Sequence, residues 1–262
     1  MNRRKGSVLI LMMAKAEGII IRTTDYGESN KIVTLYTEQF GKIGLMVRGA
    51  RKPSNPLSAV SHVLFYGLCL FRKGRGLGVL YQAESINPLR AVREDIEKMG
   101  YAALILELVD RLTEERQPAQ GLYHLLRDAL LLMEKGTSSP VLALICALKM
   151  MPLAGIDPEL SCCTRCHEKK MDYLFSISEG GFLCRNCAHI DRYAQNISPA
   201  AQRLLPLLRA VPLERLGKIA LKTKTIGELE SIVYSYYEDN AGIKLRSTHF
   251  IKQLAKFRSD EA

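Results

Sequence analysis

The chain has 262 residues, 47% of them apolar, with 37 Lys and Arg against 27 Asp and Glu and a formal net charge of +10. That length and apolar content exclude a disordered tail and favour two or three packed units over one small domain. Seven cysteines, an odd count, four of them in paired spacing, exclude a disulfide framework and fit a reducing compartment.

The first residues combine Arg3-Arg4-Lys5 with the apolar run Val8–Met13, which imitates a secretory signal. The run is at the lower limit for a signal core and well short of the ~20 residues that span a bilayer. Residues 1–13 are therefore read as an extension or tail, with Met1, Met12 and Met13 all open as the translation start, and a cytoplasmic protein without a membrane segment is expected.

Within a first domain placed at 14–87, residues 16–85 read as successive strands. Ile19-Ile20-Ile21 opens one, 31–37 alternates, 43–47 follows the Gly41-Lys42 turn, 63–71 is a long apolar run, and 78–83 follows a glycine-rich turn. Five short strands in about 70 residues suit a small closed barrel, because closure removes exposed edges. After Asn87-Pro88 the period becomes that of helices, expected over 90–116, 121–135 and 140–151, then over 200–208, 226–239 and 248–257. The two helical stretches, 88–160 and 193–262, are expected to pack as one body around an insertion at 161–192.

That insertion holds Cys163-Thr-Arg-Cys166 and Cys184-Arg-Asn-Cys187. Each Cys-x-x-Cys presents two sulfurs on one turn, and two such turns supply the four thiolates that Zn²⁺ prefers in a structural site. Cys163, Cys166, Cys184 and Cys187 are the expected ligands. Cys162, His167 and His189 lie near enough in sequence to leave the fourth ligand open, with Cys163 favoured because both pairs then have the same two-residue spacing. One structural Zn²⁺ is the expected cofactor, a scaffold with no open position for substrate.

Charge is divided unevenly. Residues 14–89 carry ten Lys and Arg against five Asp and Glu, residues 90–160 eight against eleven, and residues 193–262 eleven against seven. The basic surplus at both ends can attract a polyanion. Basic residues recur at the barrel turns, with Arg48, Arg51 and Lys52 before Pro53-Ser54-Asn55-Pro56, and Arg72, Lys73 and Arg75 around the next glycines. Two cationic loops suggest a groove that tracks phosphates. Gly74-Arg75-Gly76-Leu77-Gly78 precedes a strand, not a helix, so the dinucleotide-cradle geometry fails. No P-loop, HExxH pair or Gly-x-Ser-x-Gly elbow occurs, and no catalytic residue is assigned.

The run Glu17–Thr37, then Phe40-Gly41-Lys42, Arg48-Gly49-Ala50-Arg51-Lys52 and Leu70–Leu77 resemble the bacterial recombination mediator family RecO over about residues 14–255. Residues 1–12 fall outside the resemblance, and Thr248-His249 departs from a basic stretch of the family. The resemblance implies an α+β protein with an N-terminal five-stranded OB-fold barrel and a C-terminal helical domain with a zinc-ribbon-like insertion. It implies binding of single- and double-stranded DNA, annealing of complementary strands, and work with RecR to help RecA replace the single-stranded DNA-binding protein, in the cytoplasm at the nucleoid. Candidate DNA-binding residues are Arg22, Lys31, Arg48, Arg51, Lys52, Arg72, Lys73 and Arg75. Lys218, Lys222 and Lys224 are candidate anchors for the acidic, apolar tail of the single-stranded DNA-binding protein. The competing readings are a zinc-ribbon transcription or RNA-binding factor and, with no histidines or carboxylates for an open site, a metal-dependent hydrolase.

Overall fold

Strand β1, Met13–Tyr26, is long enough to serve two neighbours. In the computed structural model, which describes residues 13–74, 76–170, 172–217 and 219–260, its first half pairs antiparallel with β4 (Tyr66–Arg72) and its second half with β2 (Asn30–Thr37). A bulge between Ile20 and Arg22 bends it from one partner to the other. With β3 (Gly41–Val47) and β5 (Gly78–Asn87), the order β1-β2-β3-β5-β4 closes a five-stranded barrel, the OB-type arrangement that the sequence leads one to expect. Residues 1–12, Arg75 and Lys218 lie outside the described residues.

The seam is the short parallel ladder between β3 and β5, at Leu45↔Gly78 and Met46↔Val79. Two rungs supply little, because a net backbone hydrogen bond is worth only ~1 kcal/mol. The interior holds the barrel shut. Ile20, Val33, Leu35, Ile43, Leu45, Val47, Phe71 and Leu80 all point into it, each burial contributing about 1.5–3 kcal/mol. Gly78 is required at the seam, since a Cβ there would lie 2.7 Å from the Arg72 carbonyl oxygen.

Two expectations shift. The 63–71 strand begins only at Tyr66, because Leu64 takes a left-handed φ of 68° that no strand continues through. Its neighbour β1 begins at Met13, well before the Ile19 triplet.

The chain divides into two packed units, one reaching to Pro88 with Glu114–Tyr123 added, the other comprising Leu89–Thr113 and everything from His124 onward. Residues 114–123, which the sequence reading places among the helices, therefore group with the barrel. The Arg116 N–H donates to the Lys42 carbonyl at 2.8 Å, and the Tyr123 hydroxyl donates to the Glu17 carboxylate at 2.8 Å, beside Tyr66 at 2.7 Å. Gly41, at φ +60°, passes so close that a Cβ would meet the Gln117 carbonyl oxygen at 2.5 Å.

The second unit contains α1 (Arg90–Glu94), α2 (Ile96–Leu112), α3 (Leu122–Glu134), which begins in the residues grouped with the barrel, α4 (Ser139–Met150), α5 (Pro199–Ala210), α6 (Thr223–Ala241) and α7 (Ser247–Asp260). The single helix expected over 90–116 is broken at Asp95, whose carboxylate accepts the N–H groups of Glu97 and Lys98 and so starts α2 afresh. Helix α4 is apolar nearly all round and buried from Val141 to Leu148, which suits a helix with neighbours on several sides. It packs against α2, α5 and α6, and the Tyr237 hydroxyl donates to the Ala147 carbonyl at 2.7 Å. The helices before and after the cysteine segment thus share one core. Among the described residues no helix is long and apolar enough to cross a membrane.

Helix α7 lies on α2 and starts from a carboxylate on that helix. Glu107 accepts the N–H groups of Arg246 and Ser247, both at 2.9 Å, and the Ser247 hydroxyl at 2.8 Å. Burial pushes the Glu107 carboxyl up, but these donors and the Arg111 guanidinium bring it below its ordinary value. A depressed folded value means that the contribution is complete above about pH 4.3, the unfolded value, and is lost as pH falls through the lower folded one. Glu107→Gln is expected to cost about 1–2 kcal/mol at pH 7, measured by urea unfolding, with the gap to the wild type closing below pH 4.

Candidate nucleic-acid interface and metal centre

The antiparallel runs of the barrel send its loops to two ends. The β1–β2 turn and the β3–β4 connection meet at one end, where the Gly49 N–H donates to the Asn30 side chain at 2.9 Å and the Arg51 N–H to the Ser29 carbonyl at 3.0 Å. At the other, the β4–β5 loop meets the β2–β3 turn, with the Lys73 ammonium 3.9 Å from the centre of the Phe40 ring. The two cationic loops are therefore not adjacent. What joins them is the outer face of β2 and β3.

Pairing register makes that face readable. Thr24, Ile32, Met46, Val79 and Arg72 lie side by side across all five strands, and the next row over is Arg22, Thr34 and Gly44. The middle of these two rows is uncharged, with Ile32, Gly44, Met46 and Val79 half-buried and Thr34 buried, while Arg22 stands on β1 beside β2 and Arg72 on β4 beyond β5.

Each candidate cation has a distinct setting. Arg22, Arg48, Lys52 and Lys73 are exposed, and Arg72 is half-buried. Arg51 lies 3.5 Å from the Asp25 carboxylate and donates to the Gly27 carbonyl at 3.3 Å. With side chains 43% and 59% exposed, such a pair is worth at most ~1 kcal/mol and is readily exchanged for a phosphate. Lys31 is set apart: it shares the inward parity of Val33, and its ammonium donates to the Ser61 carbonyl at 3.4 Å. Arg75 is outside the described residues. Of the barrel aromatics Tyr36, Phe65, Tyr66, Phe71 and Tyr81, Tyr81 alone is exposed, and Tyr36 is fully buried although its parity on β2 is outward. Lys222 and Lys224 are exposed at the start of α6, where the helix dipole adds positive potential. Their companion Lys218 is not described.

Two positions escaped the sequence reading as site residues. Phe40 appears there only within a motif, and Arg116 not at all, because its approach to the barrel comes from a segment about 40 residues beyond the β4–β5 loop. Its guanidinium donates to the Gly76 carbonyl.

In the helical unit, β6 (Tyr173–Ser176) and β7 (Gly181–Cys184) form a hairpin, and the two-residue β8 (Gln195–Asn196) pairs with β6. Cys184 ends β7 and Cys187 lies in the following turn. The first pair is tied to the hairpin by the Thr164 N–H, which donates to the Phe182 carbonyl at 2.8 Å. The sulfurs of Cys163, Cys166, Cys184 and Cys187 all lie within 4.8 Å of one another. Those of Cys166 and Cys184 are 3.8 Å apart, and thiolates at ~2.3 Å from a tetrahedral zinc would be separated by about 3.8 Å. Cys162, His167 and His189 are not members of the cluster, whereas Cys163, which equal spacing favours, is.

Electrostatics favours a cation here. Burial raises the Cys163 thiol, yet backbone N–H groups of Cys166, Cys184 and Arg165 bring it down to about 6, whereas Cys187 is pushed up to about 12 by burial and by the other cysteines. Four thiolates this close repel one another, and a cation between them would relieve that repulsion. An all-sulfur set suits a soft or borderline metal such as zinc.

The hairpin is joined to the helices by rings. Tyr173 stacks on Phe182 with centroids 4.9 Å apart, and Phe175 meets Tyr236 of α6 edge-on at 5.7 Å.

An OB-type barrel followed by a helical body that carries a four-thiol module defines a class of two-part α+β proteins. Comparison with known families narrows it: residues 12–89 match the model described as Recombination protein O N terminal, and residues 93–249 that of Recombination protein O C terminal. The chain is 42% identical over 247 residues to the DNA repair protein RecO of Bacillus pumilus, covering 94% of this chain and 96% of that protein. It is 42% identical to the DNA repair protein RecO of Bacillus subtilis, covering 94% and 97%, and 42% identical to that of Halalkalibacterium halodurans, covering 93% and 96%. The chain belongs to the RecO family of bacterial DNA repair proteins.

Replacing Cys184 with Ser removes a sulfur close to those of Cys163 and Cys166. The variant is expected to lose stoichiometric metal by elemental analysis and to melt at least several degrees lower. Chelation of the wild type should give a similar melting curve.

Proposed function

We propose that this chain is a recombination mediator. It binds single- and double-stranded DNA on the outer face of β2 and β3, anneals complementary strands and, with RecR, helps RecA replace the single-stranded DNA-binding protein in the cytoplasm at the nucleoid. Membership of the RecO family supports the setting. The observation that carries the site is the placing of cations around the outer side of the barrel: Arg48, Arg51 and Lys52 at one end, Lys73 at the other, and Arg22 and Arg72 on β1 and β4 between them.

The physics of such a face suits annealing. Cations neutralise phosphates without reading sequence, so a strand is held by its backbone while its bases remain available to a complement. Screening two strands at once lowers the repulsion that keeps them apart, and no covalent step is needed. If all six cations engage a single strand, log affinity should fall with log salt at a slope of about −4.

Cys163, Cys166, Cys184 and Cys187 would hold one Zn²⁺. With four thiolates the ion has no open position and supplies structure to the insertion, not reactivity. Lys222 and Lys224 offer charge to the acidic tail of the single-stranded DNA-binding protein.

The deciding experiment is annealing of complementary labelled oligonucleotides coated with single-stranded DNA-binding protein. The wild type should accelerate it, and an Arg48/Lys52/Arg72/Lys73→Ala variant should lose at least about tenfold of that acceleration. No acceleration by the wild type at low salt would overturn the reading. Separately, Lys222→Glu with Lys224→Glu should weaken capture of the acidic tail peptide while leaving annealing of bare strands unchanged.

A further inference from the structure

A cavity of ≈ 220 Å³ opens between the β2–β3 turn and the β4–β5 loop of the barrel. It is larger than several waters at ~30 Å³ each and smaller than the ~300 Å³ at which drug-sized sites begin, a size for one planar ring system. Its lining is chemically divided. Phe40, Ile43, Leu45 and Phe71 give an apolar wall, glycines keep the opposite side thin, and Lys73 and Arg116 provide two cations.

Phe40 is held ready. Its N–H donates to the Thr37 hydroxyl at 3.0 Å, that hydroxyl donates to the Gly41 carbonyl at 3.3 Å, and Gly41 is locked against residue 117. The Phe40 ring meets Phe71 at 88° with centroids 5.8 Å apart. The fixed ring is covered by the exposed Lys73 ammonium. Lys73 begins the glycine-rich loop and its side chain is exposed, whereas the Phe40 ring is packed against the core.

An exposed cation–π contact is weak, whereas stacking of a nucleobase on an aromatic ring is stronger and tolerant of sequence. A nucleotide can replace the contact in full, its base taking the ring and its phosphate taking the ammonium. We propose that this cavity receives one unstacked nucleobase of a bound single strand, with Phe40 as its stacking partner and Lys73 released to the adjoining phosphate. Arg116, tied to the Gly76 carbonyl, keeps a second positive charge at the rim. The inference rests on the reading of the barrel as a DNA-binding surface and adds to it a contact with a base, which charge alone does not give. Splaying a base out of its stack is also what a strand must undergo before it can meet a new complement.

Abasic DNA separates the two ideas, because it keeps the phosphates and lacks the bases. Binding of the full-length, metal-replete protein to a mixed-sequence 12-mer and to an abasic 12-mer of equal charge would be measured by fluorescence anisotropy. Wild type should prefer the base-bearing strand, and Phe40→Leu should lower its affinity for that strand about five- to tenfold while leaving the abasic strand and the salt slope unchanged. Phe40→Tyr should restore the preference, and equal melting temperatures should show that the variants are folded. Lys73→Ala should instead flatten the salt slope by about one phosphate contact on both strands. Equal wild-type affinity for both strands, or an equal loss on both with Phe40→Leu, would overturn the base contact and leave the charged surface standing. Absence of binding to either strand at low salt would overturn both.

Discussion

Closure of the barrel by one long strand is the constraint from which the rest of the first unit follows. Because β1 pairs with β4 through Met13–Ile19 and with β2 through Gly18–Tyr26, the same backbone carries two ladders and must bend between them. The bulge at Ile20/Arg22 supplies the bend and turns Arg22 outward, level with Thr34. Closure then fixes which loops share an end, and so makes a strand face, not a loop cluster, the connection between the two cationic regions. A one-residue slip in β2 would exchange Val33 and Leu35 for Ile32 and Thr34 in the interior, losing the core.

The helical unit depends on polar anchoring at its ends. Carboxylates start four of its helices: Glu134 accepts from Ala91 and Val92, Asp95 starts α2, Glu107 starts α7, and Glu228 holds Ser198, whose hydroxyl in turn accepts from Ala201 at the start of α5. Three of the four reach in from another helix, so the cap also fixes where the next element docks. The metal module uses a related device, in which Gln202 of α5 both accepts from and donates to the backbone of Tyr173.

Legibility in the sequence followed the range of the interaction. Strands β2 and β3 were readable because their alternation is local, and the cysteine pairs because two sulfurs on one turn need no distant partner. Equal spacing of the two pairs already favoured Cys163 over Cys162, and the cluster contains Cys163; the Thr164 bond to Phe182 that ties the first pair to the hairpin had no local signal. Asp95 carried a usable signal as a capping residue, but the apolar period on either side of it ran on in phase and concealed the break. Lys31 was indistinguishable from Arg22 by charge, and only strand parity separates a cation at the end of the barrel from one on its face. Arg116 had no local signal, because its placement comes from the backbone of Lys42 and the loop at Gly76.

The excursion of residues 114–123 onto the barrel has a consequence for the order in which the molecule is made. The chain leaves the barrel at Pro88, builds α1 and α2, returns, and leaves again near Tyr123. When β5 has been synthesised, the barrel still lacks the strand bridge at Lys42 and Glu115 and the second hydroxyl on Glu17. Its completion awaits a segment that follows the first long helix, so the two units mature interleaved along the nascent chain. Excision at residue 88 would sever the barrel from part of itself.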